Sequence, residues 1–124
     1  MKKVLLLLVI SFLNADVKWV SSYEEATKAN KPIFIYIARE GCPACAYMNK
    51  TLKDKKIYGY LNEHFVAFKK YVGDPKTKLP YPLRSSRTPT LHFVNSEGKK
   101  LIESYNGGKN VEGFYELLRE VKGE

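Results

Sequence analysis

The hydrophobic residues of the chain alternate between strand-like and helix-like spacing. Residues 32–38 form an almost unbroken run of β-branched and aromatic side chains. Such a run is typical of a central strand that is buried on both faces of an α/β sheet. Shorter runs predict strands at residues 17–20 and 65–72 and two hairpin arms at 90–94 and 100–105, joined by the turn 95–98.

Helices are predicted between these strands from capping residues and from apolar spacings of three and four. Ser22 and Glu25 have capping-box spacing and open a helix that is expected to run to about Asn30. The other predicted helices cover residues 43–53, a stretch capped by Asp54 that reaches Phe65, and a last helix capped by Asn110. Residues 73–87 are rich in Pro and Lys and lack useful periodicity, so we expect a long loop there. The pattern predicts one α/β domain around a central sheet.

The first fifteen residues differ in character from the rest. Lys2 and Lys3 precede ten residues, 4–13, that contain a single hydroxyl, and Ala15 closes the segment. A bilayer core of ~30 Å needs about twenty apolar residues, so this stretch is too short to span it. The layout is typical of a secretory signal peptide over residues 1–15, with an uncleaved anchor as the alternative. The mature domain would then cover residues 16–124 in an oxidising compartment.

Composition narrows the class further. A chain of 124 residues, 44% hydrophobic and 27% charged, fits a single globular domain. The formal net charge is +8, and the basic residues are scattered among acids and turn residues. We interpret them as a solvated surface, with mild steering toward acidic partner proteins as the second interpretation. Nucleic acid is not expected as a partner, because no continuous basic helix is present and export is predicted.

Cys42 and Cys45 are the only cysteines, and they carry the candidate chemistry. They lie two residues apart at the start of a predicted helix, where Pro43 suits the first turn. Free N–H groups and the helix dipole at this end favour a thiolate at Cys42, the nucleophilic form. A static disulfide would close only a short segment and stabilise the fold weakly. The other alternative is that the two cysteines form half of a metal site, but the histidines are too distant in sequence to match the ligand spacing of a zinc finger.

The order of these elements resembles the thioredoxin superfamily over roughly residues 16–122. The resemblance includes the CxxC pair at a helix start and Thr88-Pro89-Thr90 before the hairpin. The chain resembles exported thioredoxin-related proteins at Trp19, at the Lys31-Pro32 pair that leads into the central strand, and at residues 60–66. Among these are the C-terminal domain of the transmembrane disulfide reductase DsbD and SoxW-type periplasmic thioredoxins.

The resemblance implies a thioredoxin fold and a thiol:disulfide oxidoreductase. Cys42 would be the attacking thiol and Cys45 the resolving one, with Pro43 and Ala44 between them as supporting residues. Pro89 would be cis and face the pair, and Thr88 would offer backbone groups to an extended substrate strand. No metal or organic cofactor is expected beyond the redox-active disulfide. The implied partners are protein disulfides and a membrane electron donor, and the implied protein is a periplasmic monomer of a Gram-negative bacterium that works as a reductase.

Departures from the family pattern leave some roles open. Many thioredoxins carry a buried Asp six positions before the first Cys, and here Tyr36 stands there. Glu40, Tyr36 or water would have to assist proton transfer, and we select Glu40. The ordinary interpretation is an exposed loop acid for Glu40 and a packed aromatic for Tyr36. Gly41 stands where Trp is usual, which leaves substrate recognition open. The Pro43-Ala44 dipeptide contains no His, and the direction of electron flow stays open.

Two other function classes remain open. A copper-binding or copper-delivery protein would use Cys42, Cys45 and Met48, because soft sulfur ligands favour Cu(I). A non-catalytic binding module would keep its function without the thiols. The ordinary interpretation of the remaining polar and aromatic candidates is structural: Met48 and Trp19 belong to the core, Tyr47 and Tyr105 are packing residues, His64 is a helix-end cation and His92 is a strand residue on the sheet face.

Overall fold

A computed structural model of the protein describes residues 16–124. The helices and strands, in chain order, are α1 (Tyr23–Thr27), β1 (Ile33–Ala38), α2 (Pro43–Leu52), α3 (Lys55–His64), β2 (Val66–Tyr71), β3 (Thr90–Val94), β4 (Tyr105–Asn106) and α4 (Val111–Lys122). The predicted signal peptide, residues 1–15, lies outside the described part. Within residues 16–124 the helices are too short or too polar to cross a membrane.

Four strands form one mixed sheet in the order β2-β1-β3-β4. β1 pairs parallel with β2, so that Ile33 lies beside Val66 and Ala38 beside Tyr71. β3 runs antiparallel to β1 on its other side. This arrangement confirms the predicted α/β class and is the thioredoxin fold, with the CxxC pair at the start of α2.

β1 is buried along its whole length, as its unbroken hydrophobic run predicts. Alternate residues point to opposite faces of a strand, so β1 feeds two separate cores. Phe34 and Tyr36 lie on the face covered by α2, α3 and α4, where the ring of Phe34 is 5.2 Å from that of Phe93 and 5.4 Å from that of Phe114. Ile33 and its odd-numbered neighbours pack on the other face against α1 and the 73–87 loop.

The predicted caps start the helices where the sequence places them. The side chain of Asp54 accepts a hydrogen bond from the Lys56 amide, and that of Asn110 accepts one from the Gly113 amide. Each bond satisfies one of the free N–H groups in a helix's first turn. Both helices then place their apolar stripe on the core, which confirms the spacing argument for α3 and α4.

Two predictions near the N-terminus are wrong in extent. Residues 17–20 form a single bridge, Trp19 to Ala67, instead of a strand, because the Lys18 amide bonds to the side chain of Asn62. α1 ends at Thr27 and not near Asn30. Asn30 has φ +59°, a left-handed conformation that no helix continues through.

The second arm of the predicted hairpin is also shorter than expected. Val94 bridges Lys100, and Leu91 pairs with Tyr105. Between these two pairs β3 advances by three residues, from Leu91 to Val94, whereas the opposite segment advances by five, from Lys100 to Tyr105. The opposite segment therefore has two extra residues, which must bulge out. Only Tyr105–Asn106 is therefore a regular strand.

The 73–87 loop contains structure that periodicity did not reveal. A 3₁₀ turn, Tyr81–Leu83, buries Leu83, and Leu79 is buried beside it. His92, which lies buried on β3, holds this turn to the sheet: Nε2 is 2.9 Å from the Leu83 carbonyl oxygen, and Nδ1 is 2.6 Å from the Ser104 hydroxyl. Since a carbonyl only accepts, Nε2 carries the proton and Nδ1 accepts from Ser104 in the neutral ring.

His92 should make stability depend on pH. Burial is the largest influence on His92 and lowers its pKa from 6.5. The hydrogen bond to Leu83 raises the pKa in part, and the charge of Lys100 lowers it further. The unfolded chain therefore takes up a proton before the folded one, and the free energy of unfolding should decline as pH falls below about 6.5. Urea titrations between about pH 7 and about pH 5, which bracket the ordinary value, should show this decline, and His92→Gln should have a smaller one. Equal slopes for the two proteins would contradict the assignment.

Candidate active site at the start of helix α2

Three chain segments meet at one edge of the sheet. β1 and β2 are parallel, so their C-terminal ends lie at the same edge, and antiparallel β3 begins there. β1 leads into the CxxC pair, and residues Thr88 and Pro89 precede β3 directly. The fold thus brings the cysteines and the Thr-Pro pair together from positions 46 residues apart.

Gly41 makes the turn from β1 into α2. Its φ of +74° lies in the region that glycine adopts without strain. This is a local reason for glycine at a position where the family resemblance implies Trp. Cys42 then caps α2, with its sulfur accepting from the Cys45 amide at 3.1 Å, and Pro43 occupies the first turn.

Cys42 and Cys45 are joined as a disulfide, with their Cα atoms 5.2 Å apart. The two sulfurs differ in access. Cys42 is half-buried, whereas Cys45 is 3% exposed and packs into the core beneath α2. In the reduced state, an incoming group would therefore reach Cys42 first, and Cys45 would lie behind it as an intramolecular nucleophile.

Thr88 and Pro89 lie directly against the accessible sulfur. The Thr88 hydroxyl is 3.5 Å from the sulfur of Cys42, and the Thr88 carbonyl oxygen is 3.7 Å from it. In the disulfide state the second distance is a van der Waals contact and not a hydrogen bond, because a disulfide sulfur carries no proton. The Thr88–Pro89 peptide bond is cis, and Pro89 is buried.

Gly107 and Gly108 complete the site, a role that neither periodicity nor motif spacing predicts. The Gly107 amide donates to the carbonyl oxygen of Pro89 at 2.9 Å. A Cβ on Gly108 would lie 2.8 Å from the Tyr47 ring and 3.1 Å from the carbonyl oxygen of Ala44. A side chain at Gly108 would therefore have to displace the Tyr47 ring, where this segment crosses the start of α2. The only sequence signal was the adjacent glycine pair.

Tyr36 lies under the first turn of α2 and is fully buried. Its hydroxyl is 2.7 Å from Oδ1 of Asn49 and 3.1 Å from the carbonyl oxygen of Cys45. Burial, with a smaller contribution from Tyr71, raises the pKa of this hydroxyl far above its ordinary value of 10.0. The group therefore stays protonated at neutral pH, and it acts as a hydrogen-bond donor to the helix and not as a base.

Tyr36→Phe tests this assignment. The variant loses the hydrogen bonds to Asn49 and Cys45, and its free energy of unfolding should fall by about 1 kcal/mol. The pH profile of thiol exchange should keep its shape, since the hydroxyl does not titrate in the working range. A profile that loses a titration step in the variant would show that Tyr36 takes part in proton transfer.

A cleft of about 260 Å³ opens beside the disulfide. Both cysteines line it, together with Arg39, Glu40 and Tyr71. Glu40 is exposed at its rim, as the ordinary interpretation expects, and its assistance to proton transfer stays a prediction. Cys45 borders the cleft although it is only 3% exposed.

Among the remaining sequence candidates, Met48 lies in the core as expected, whereas Trp19, Tyr47 and Tyr105 are less buried than expected. Met48 is fully buried in the core, so a copper site at the cysteines would have to draw it out of that core. Trp19 is half-buried and stacks on Tyr36, with ring centroids 6.1 Å apart. Tyr47 and Tyr105 pack only in part, since they are 49% and 38% exposed.

Comparison with known proteins agrees with this geometry. The model of a thioredoxin-like domain family matches residues 20–122. No curated protein sequence matches the chain. A thioredoxin from Thermus thermophilus is 25% identical, with a TM-score of 0.71 over 86% of this chain and 88% of that one. A proposed disulphide-isomerase from Bacteroides thetaiotaomicron is 28% identical, with a TM-score of 0.65 over 87% and 93%. DsbH oxidoreductase, at 19% identity and a TM-score of 0.63 over 86% and 85%, shares the fold.

Proposed function

Because this chain belongs to the thioredoxin-like domain family, whose model matches residues 20–122, we propose that it exchanges disulfides with other proteins through Cys42 and Cys45. The observation that carries the proposal is the asymmetry of the pair. One sulfur is accessible at a helix start against Thr88, and the other is buried one turn behind it.

In the reductase direction, which the family resemblance favours, the exchange uses that asymmetry in two steps. The Cys42 thiolate attacks one sulfur of a partner disulfide, and the partner's other sulfur leaves as a thiolate that takes up a proton. Cys45 loses its proton and attacks Cys42, which breaks the mixed disulfide and releases the partner's second thiol. The partner gains two electrons and two protons, and the 42–45 disulfide forms. A dithiol donor must then reduce the protein again.

The finer proposal is a periplasmic reductase supplied by a membrane electron donor. It is supported by the signal-like segment at residues 1–15 and by the resemblance to exported thioredoxin-related proteins. The Pro43-Ala44 dipeptide contains no His, so the motif lacks a cation that would stabilise the thiolate of the reduced form. A less stable reduced form makes the 42–45 disulfide a weaker oxidant. The client proteins are exported proteins with disulfides.

A redox titration combined with a trapping variant tests the proposal. Equilibration of the 42–45 pair with glutathione should give a potential below the ~−180 mV of a protein disulfide isomerase. Cys45→Ser should accumulate mixed disulfides through Cys42 in an exported-protein extract, whereas the double variant that also carries Cys42→Ser should accumulate none. A potential near the ~−120 mV of a strong oxidant would reverse the direction. Absence of any mixed disulfide would contradict exchange.

A further inference from the structure

Asn49 shares a face of helix α2 with Cys45. The two residues lie four positions apart, and side chains at this spacing are neighbours, with Cβ atoms about 5–6 Å apart. Side chains in an α-helix lean toward its N-terminus, so Asn49 leans back over the turn that carries Cys45. Both residues line the cleft beside the disulfide, Asn49 as an exposed side chain and Cys45 as a nearly buried one.

A buried hydroxyl holds Asn49 in this position. The hydroxyl of Tyr36 is 2.7 Å from Oδ1 of Asn49 and 3.1 Å from the carbonyl oxygen of Cys45, so a single atom contacts both residues. An amide or carbonyl oxygen only accepts, which makes the hydroxyl the donor. With Oδ1 turned to this donor, the two N–H groups of the Asn49 amide point away from it.

Cys45 needs a hydrogen-bond donor in one step of the exchange only. In the disulfide its sulfur carries no charge. To resolve a mixed disulfide, the same sulfur has to become a thiolate while it packs against the apolar side chains of the core. Burial among apolar groups disfavours that charge, and an N–H donor close to the sulfur favours it.

We propose that Asn49, held in place by Tyr36, donates an amide N–H to the sulfur of Cys45 when that sulfur becomes a thiolate. This role rests on the proposed function and deepens its second step. Cys45 gives its proton to water, and its thiolate attacks the sulfur of Cys42. The bond between Cys42 and the partner breaks as the 42–45 disulfide forms, and the partner's thiolate leaves and takes up a proton. Asn49 is neither oxidised nor reduced, and Tyr36 is a positioning residue.

Other ionisable groups around Cys45 also act on its charge. Arg39, Glu40 and Tyr71 line the same cleft. The ammonium group of Lys69 is 5.5 Å from the centre of the Tyr71 ring. Each of these groups stays in place when position 49 is changed, so a difference among variants of that position reports the side chain at 49.

The two steps of exchange can be timed separately in the reduced protein. A symmetrical aromatic disulfide releases one coloured thiolate when Cys42 attacks it and a second one when Cys45 resolves the mixed disulfide. Stopped-flow absorbance follows both phases between about pH 6 and about pH 9.5, on both sides of the ~8.5 of a free cysteine. The ratio of the second rate to the first, at one reagent concentration, cancels a general change in reactivity.

Asn49→Asp and Asn49→Ala remove the N–H donors in different ways. The first variant keeps an oxygen for the Tyr36 hydroxyl but has no N–H when ionised, and the second has neither group. In both, the second phase should be about tenfold slower at neutral pH, and the pH of its half-maximal rate should rise by about one unit. Lys50→Ala is the matched control, because it truncates the exposed neighbour that does not line the cleft, and it should keep the wild-type ratio. Urea unfolding of each variant confirms that it is folded.

The possible results distinguish this role from the function beneath it. A wild-type second phase in both Asn49 variants, or slowing by the same factor at every pH, would overturn the donor role. A slow Asn49→Ala beside an unchanged Asn49→Asp would show that the oxygen matters and not the N–H, which also overturns it. Slowing in Glu40→Gln but not in the Asn49 variants would overturn it in favour of Glu40. All of these results leave the exchange intact, whereas a wild-type protein that releases no coloured thiolate would overturn the proposed function.

Discussion

Cys42→Ser is expected to reduce disulfide exchange to the background rate. The sulfur of Cys42 is the accessible one, it caps α2, and a serine hydroxyl does not ionise near neutral pH to replace the thiolate. The loss should be about a thousandfold or more, or about 4 kcal/mol of transition-state stabilisation. Reduction of a dye-labelled peptide disulfide by the reduced protein measures it directly.

Cys45→Ser is the matched control, because it removes the same number of thiols. This variant should still form the mixed disulfide in one rapid step and then stop, since Cys45 lies nearly buried behind Cys42 and no other cysteine can resolve the bond. Turnover by Cys42→Ser would instead indicate an exchange centre at Cys45. Unchanged cellular function without Cys42 would favour the non-catalytic binding module.

Phe34→Ala should have the largest effect on stability. Phe34 is fully buried on β1, and its ring lies within 6.3 Å of the rings of Trp19, Tyr36, Phe93 and Phe114. Truncation removes this buried surface and leaves a cavity at the junction of the sheet with α4. The free energy of unfolding, measured with urea, should fall by about 3–5 kcal/mol.

Tyr81→Ala provides the control for that substitution. It also removes an aromatic ring, but this ring is exposed on the 73–87 loop, so stability should change by less than about 0.5 kcal/mol. A loss of less than about 1 kcal/mol in Phe34→Ala would contradict the packing of this core, because it would mean that the site collapses without cost.

Local sequence rules predicted most of the fold. The β1 run is apolar at every position, so it could only be a strand buried on both sides, and the caps Asp54 and Asn110 start their helices within hydrogen-bond reach of the first turn. These features depend on residues close together in the chain. The cysteine pair was found for the same reason, since its spacing and its place at a helix start are both local.

The errors arose where distant residues decide the structure. The Lys18 amide donates to the side chain of Asn62, 44 residues away, and so makes no strand hydrogen bond. The bulge opposite β3 depends on how far the chain must travel between two pairings, which no periodicity encodes. The approach of Gly108 to Tyr47 likewise follows only from the assembled sheet edge.

The measurement that tests the central claim most directly is the alkylation of each thiol in the reduced protein as a function of pH, followed by mass spectrometry. The account predicts that Cys42 reacts rapidly at neutral pH, with a half-maximal rate below the ~8.5 of a free cysteine, and that Cys45 reacts far more slowly. Two unreactive thiols, or a Cys45 that reacts as fast as Cys42, would contradict it.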